Sequence, residues 1–170
     1  MSTLKVNQLL DTSGNTLERI LNKEHKADAT KLISTSESFV NLMEDTITTT
    51  VANSKILIFC QLNISKYNSH SFLGRLLRGS TNVAPSTADY SNHEDGIWWN
   101  VRSNIYSSPP QTIVYLDSPS VSASTTLTYT AQGKTTSSGN SFGFNKNINN
   151  ANTLHDAPTF SNMVLLELPA

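Results

Sequence analysis

Apolar residues in this chain arrive in short runs with a two-residue period, each run closed by Ser, Asn, Gly or Pro. Between Ser54 and Gly133 the runs read Lys55-Ile-Leu-Ile-Phe-Cys-Gln-Leu-Asn63, Phe72-Leu-Gly-Arg-Leu-Leu-Arg-Gly79, Ile97-Trp-Trp-Asn-Val-Arg-Ser-Asn-Ile105, Thr112-Ile-Val-Tyr-Leu-Asp117 and Thr125-Thr-Leu-Thr-Tyr-Thr-Ala131. Runs of this length, rich in β-branched and aromatic residues and bounded by turn formers, predict strands. A Thr-rich segment over Ile47 to Val51, a stretch from Gly139 to Ile148 with Phe142 and Phe144 on one face, and a final run from Met163 to Leu168 extend the series. About eight or nine strands separated by turn chemistry predict an all-β fold, an antiparallel β-sandwich of jelly-roll type.

The parity of these runs predicts which faces are covered. On the strand beginning at Lys55, Ile56, Ile58, Cys60, Leu62 and Ile64 share one side, and Leu57 and Phe59 the other. Side chains alternate across a strand, and an antiparallel sheet with one wet face gives clean apolar and polar alternation. Here both sides are apolar. The final strand behaves alike, with Val164, Leu166 and Leu168 opposite Met163 and Leu165. A domain of this size has one core to offer, so the second cover is expected from a neighbouring subunit, with Leu57, Phe59, Val164, Leu166 and Leu168 as interface residues. From Thr125 to Gln132 the alternation is regular, which predicts Leu127, Tyr129 and Ala131 inward and Thr126, Thr128 and Thr130 outward.

Residues 1–29 follow another pattern. Leu4 and Val6 alternate with polar neighbours, and Asp11-Thr-Ser-Gly-Asn15 is a turn. Asn15 with Glu18 then forms a capping-box pattern ahead of Leu17, Ile20 and Leu21 on one helical face. Two turns of helix are marginal alone in water. Leu4, Val6, Leu9, Leu17, Ile20 and Leu21 therefore make either a docking arm for another protein or a frayed polar terminus. The division expected is an arm over 1–29 and a sandwich over 30–170.

Two polar loops interrupt the sandwich, Ser80 to Gly96 and Asn149 to Pro158. The first is long for a structureless connection, and such loops tend to be functional. It ends beside Trp98 and Trp99, whose side chains leave a strand in opposite directions. Tyr90, Trp98 and Trp99, with Asn92, Asp95 and Asn100, offer ring faces and hydrogen-bonding groups suited to a sugar. The competing reading buries both indoles, one in the core and one between subunits. His93-Glu94-Asp95 carries metal-ligand letters, but adjacent residues on one loop rarely converge on an ion, and a solvated loop is the simpler reading. No metal or cofactor is expected.

Composition narrows the function further. Only 15% of residues are charged, against roughly 25% on average, and the net charge is −1. Ser, Thr and Asn supply more than a third of the chain, so hydroxyls and amides solvate it. No basic run exists to meet nucleic acid phosphates or an anionic membrane. No apolar stretch is long enough to span a bilayer, and the opening residues lack the apolar core of a secretion signal, so assembly in a cytoplasm is expected. Cys60 is the sole cysteine and, between Phe59 and Gln61, is expected to be buried and inert. Gly139-Asn-Ser-Phe-Gly143 carries the letters Gly-x-Ser-x-Gly, but with serine this common such coincidences mean little, and without a phosphate loop nothing supports an enzyme.

The order Ser-Lys-Ile-Leu-Ile (54–58), Arg-Leu-Leu-Arg-Gly-Ser-Thr (75–81), Tyr-Leu-Asp-Ser-Pro (115–119), Thr-Leu-Thr-Tyr-Thr-Ala-Gln (126–132) and Leu-Leu-Glu-Leu (165–168) resembles the distal domain of tailed-bacteriophage fibre proteins. The opening Ser-Thr-Leu-Lys-Val-Asn with Asp-Thr-Ser-Gly-Asn is similar to fibre-like proteins of phages that infect cyanobacteria and other marine bacteria. The resemblance implies a homotrimeric virion protein whose head meets a host surface glycan or protein, with the N-terminal arm docked on other virion proteins. The chain lacks the long repetitive shaft of many such fibres. That leaves open a short tail fibre, a decoration protein that stabilises the particle, or a lectin-like carbohydrate-binding module.

Overall fold

The structure, a computed structural model, describes residues 20–66, 72–83, 99–101, 109–148 and 159–170, with 99–101 described by their backbone. Two antiparallel sheets pack face to face as a sandwich. The strands are β1 (Asn22–Asp28), β2 (Leu32–Ser34), β3 (Val40–Thr48), β4 (Lys55–Lys66), β5 (Phe72–Arg78), β6 (Thr81–Asn82), β7 (Trp99–Val101), β8 (Pro110–Asp117), β9 (Thr126–Thr135), β10 (Phe142–Phe144) and β11 (Ser161–Leu168). Among these strands of the described residues, β7 and β10 are short pieces within expected runs, whereas β1, β2 and β6 lie outside the expected series, the last two being only three and two residues long, too short to display a period.

In the first sheet β11 and β8 flank β4, and β1 lies outside β11. Where β11 leaves β4 at Gln61, β10 takes over from Ile64, with β2 beside it. Asn145 splices the two halves: its Nδ2 donates to the carbonyls of Asp28 and Thr30, its backbone N–H to Asn63, and its Oδ1 accepts from the Ser161 hydroxyl. The first sheet thus has four rows: β1/β2, β11/β10, β4 and β8. Asn145 is fully buried at φ 54°, a left-handed conformation that Asn tolerates better than most residues. Gly143 is required nearby, since a Cβ there would collide with the Lys146 carbonyl and the Ser65 hydroxyl.

The second sheet runs β3, β9, β5, with β6 beside one end of β5 and β7 beside the other. In β3 the register slips between Asn41 and Met43. This bulge turns both Leu42 and Met43 into the core.

The core follows the expected parity. Ile56, Ile58, Cys60, Leu62 and Ile64 of β4 are at 0% exposure. They meet Met163 and Leu165 from their own sheet, and Leu76, Tyr129, Ala131 and Phe72 from the other. Leu127, Tyr129 and Ala131 point inward as expected. Thr126 is exposed, but Thr130 is buried on the outer side of β9, where its hydroxyl donates to Glu44.

Two expectations change. Residues 22–28, placed with the arm, pair along their length with β11. Their Lys-Glu-His-Lys sequence carries no strand period because β1 is an edge among the described residues, and charges keep such an edge from recruiting another chain. The Thr-rich segment over 47–51 is strand only to Thr48. Thr49 turns the chain, with its Oγ1 donating to the Ser122 carbonyl and accepting from the Thr125 N–H.

Polar side chains close that end of the sandwich. Glu167 is fully buried, and its carboxylate accepts from the N–H groups of Thr50 and Val51 and from the Thr50 hydroxyl. Burial acts to raise its pKa. The Ser54 hydroxyl and the Thr50 and Val51 donors outweigh burial and hold the carboxyl below its usual value. Alongside, Asp117 of β8 accepts two bonds from Arg78 Nη1, at 2.7 and 2.6 Å, and one from the Tyr129 hydroxyl at 2.7 Å. This triad ties the two sheets together across the core end.

Candidate functional site

The two outer faces of the sandwich differ in chemistry. On the first sheet, Leu166, Leu57 and Leu116 stand opposite one another on β11, β4 and β8, and Val164, Phe59 and Val114 form the next row. Directly opposed side chains in a sheet touch, so these residues make one apolar block. Asn162, Gln61 and Thr112 bound it on one side and Lys55 on the other. Phe59 is 37% exposed, Val114 55% and Leu116 46%. Leu57, Val164, Leu166 and Leu168 are half-buried. The protomer therefore shelters one side of β4 and β11 and leaves the other open, as the sequence led us to expect. Val114 and Leu116 were not among the expected interface residues, although the alternation in Thr112–Asp117 carries the signal.

The outer face of the second sheet is mostly polar, with Leu73 and Leu77 of β5 on either side of Arg75. A chain of side-chain bonds crosses its three main strands: Gln132 Nε2 donates to Asn41 Oδ1 at 2.7 Å, and Arg75 Nε donates to Gln132 Oε1 at 2.8 Å. The Arg75 guanidinium lies 4.0 Å from the centre of the Phe39 ring, and Lys134 Nζ lies 5.0 Å from the same ring. Further along, the Thr48 and Thr126 hydroxyls share a bond across β3 and β9.

Of the candidate sugar-binding residues, Tyr90, Asn92, Asp95 and Trp98 lie outside the described residues, as do His93 and Glu94. Trp99 and Asn100 fall in β7, paired with Gly74 and Leu73 of β5. Of the arm residues, Leu4, Val6, Leu9 and Leu17 lie outside the described residues. Ile20 is 54% exposed, and Leu21 donates its N–H to the Glu167 carbonyl, which brings the chain into the sheet one residue before β1. Sequence reasoning passed over Phe39, Asn41, Arg75, Gln132 and Lys134, since their meeting depends on the pairing of β3, β9 and β5 and no local motif announces it.

Among the described residues, no three His, Cys, Asp or Glu side chains gather to hold a metal. Burial pushes the Cys60 thiol up to about 12, so it stays protonated and is no nucleophile. Ellman's reagent should leave the folded protein unlabelled and react with Cys60 once guanidinium unfolds it. Prompt labelling of folded protein would contradict the burial of this strand.

A scan of protein-family models finds none that matches the chain. A search of curated proteins likewise finds no match.

Proposed function

We propose that this chain is a non-enzymatic virion protein, a short trimeric tail fibre or fibre-like appendage that attaches the particle to the host surface. The observation that carries the reading is the contrast between the outer faces. Contiguous exposed apolar surface on an otherwise polar protein marks an interaction site, and the block of Leu57, Phe59, Val114, Leu116, Val164 and Leu166 suits burial against further copies. Leu168 and the β11 end extend it. The face rich in amides and hydroxyls then turns outward, toward solvent and host.

The strand order supports a jelly roll. Counting β1/β2 as the first row and β10/β11 as the eighth, the rows of one sheet are first, eighth, third and sixth, and those of the other second, seventh, fourth and fifth. Two interlocked Greek keys have this order, an architecture common to capsid and lectin domains. Residues 1–19 would dock the trimer on other virion proteins. Three weak sites on one head, and many heads on one particle, raise avidity through effective concentration without strong single contacts.

Light scattering coupled to size exclusion tests the reading. The expected mass is three times the 18.6 kDa protomer, and Phe59→Glu, which places a charge at the centre of the block, should return the mass to that of one protomer. The purified trimer should also adsorb to host cells. A wild-type protein that stays monomeric at high concentration would remove the interface, and a trimer that ignores cells would remove attachment.

A further inference from the structure

The polar face holds an arrangement that its fold does not require. Arg75 projects outward from β5, on the side away from the core, yet it is held in place. Its Nε is occupied by Gln132, which is itself fixed by Asn41, and the flat side of the guanidinium rests on Phe39. Among the described residues its Nη atoms form no hydrogen bond and Arg75 forms no ion pair. In contrast, the core-facing Arg78 is matched by Asp117. What remains free on Arg75 is the edge of the fork that pairs with a planar anion.

Lys134, the outward neighbour of Gln132 on β9, brings a second positive charge to the same ring. Beside it on the same face are the amides of Gln132 and Asn41, and farther along β9 the Thr130 hydroxyl is bonded to Glu44.

The geometry points to a carboxylate-binding subsite on this face: the Arg75 fork, backed by Phe39 and flanked by Lys134, receives the carboxylate of an acidic saccharide, while Asn41 and Gln132 orient the guanidinium. Arg75 makes the direct contact, and Gln132 is a positioning residue. The inference rests on the attachment reading for where such a sugar is met, and it names the class of receptor.

Titration calorimetry with oligogalacturonate as the probe, at low and at physiological salt, tests the site on the full chain. The wild type should bind oligogalacturonate, weaken as salt rises, and bind neutral dextran oligosaccharides at least about tenfold more weakly, the loss of one charge-assisted contact. Arg75→Lys, which keeps the charge and loses the fork, should weaken binding by about tenfold. Lys134→Gln should weaken it by a smaller factor and reduce the salt dependence. Both variants alter an outer-face side chain, so either carries the test if the other does not fold.

Equal binding of charged and neutral oligosaccharides, equal binding of oligogalacturonate and dextran sulfate, or unchanged affinity in Arg75→Lys would each overturn the assignment. Host-cell adsorption measured in parallel keeps the two ideas apart. Adsorption that survives Arg75→Lys with no oligogalacturonate binding sinks the subsite and leaves attachment standing. Oligogalacturonate binding without adsorption does the reverse.

Discussion

Asp117→Ala is expected to destabilise the protein by about 3 kcal/mol, at the lower end of the range for breaking a buried charge pair. Asp117 is 6% exposed and accepts from both Arg78 and Tyr129, so its removal strands a guanidinium and a hydroxyl together. The Arg78 side chain is a quarter exposed and recovers some hydration, which sets the estimate at the low end. The Tyr129 hydroxyl has no such relief. Burial, then the bond and charge of Asp117, push its pKa well up, against the opposing influence of Arg78. Tyr129→Phe, which removes one donor to the carboxylate and leaves the ion pair intact, should cost only about 1.5 kcal/mol. In urea titrations at one protein concentration, the Asp117→Ala midpoint should fall by about 1 to 2 M, given the usual dependence on denaturant. Equal losses for the two variants would mean that the ion pair contributes nothing beyond the tyrosine bond.

The second large effect is expected at Glu167 and depends on pH. Its carboxyl is held below the ordinary value of 4.5. A carboxyl whose pKa is depressed by folding contributes stability that is fully present above the unfolded value and lost as pH falls through the folded one. Glu167→Gln removes the charge that the Thr50 and Val51 donors face, at a cost of about 2 kcal/mol near neutral pH. The cost should shrink as the wild-type carboxyl becomes protonated below 4.5. Thermal melts of both proteins from pH 7 down to pH 3 should therefore converge. Parallel curves over that interval would show that Glu167 is not the group that titrates.

These closing residues also show where sequence reading reaches its limit. The β4 and β11 faces were legible because a two-residue period with apolar letters on both sides has few interpretations, and Leu127, Tyr129 and Ala131 follow from parity alone. Parity also places Asp117, Arg78 and Glu167 inward. It does not name their partners, which lie 39 residues from Asp117 in the case of Arg78 and 117 residues from Glu167 in the case of Thr50. Strand β1 was missed because Lys23, Glu24, His25 and Lys26 have no intrinsic preference for a sheet, and pairing with β11 overrides local preference at an edge. The open face of β4 was foreseen from Leu57 and Phe59, whereas the Arg75 cluster was not, since it exists only once three strands distant in sequence lie side by side.

The ionic border formed by β1 bears on what the sheet margin can recruit. With Lys23, Glu24, His25 and Lys26 along one margin and the greasy block confined to the flat of the sheet, that margin keeps its hydration. Recruitment of a strand through that margin would have to strip water from ions of both signs, which disfavours edge-to-edge pairing there.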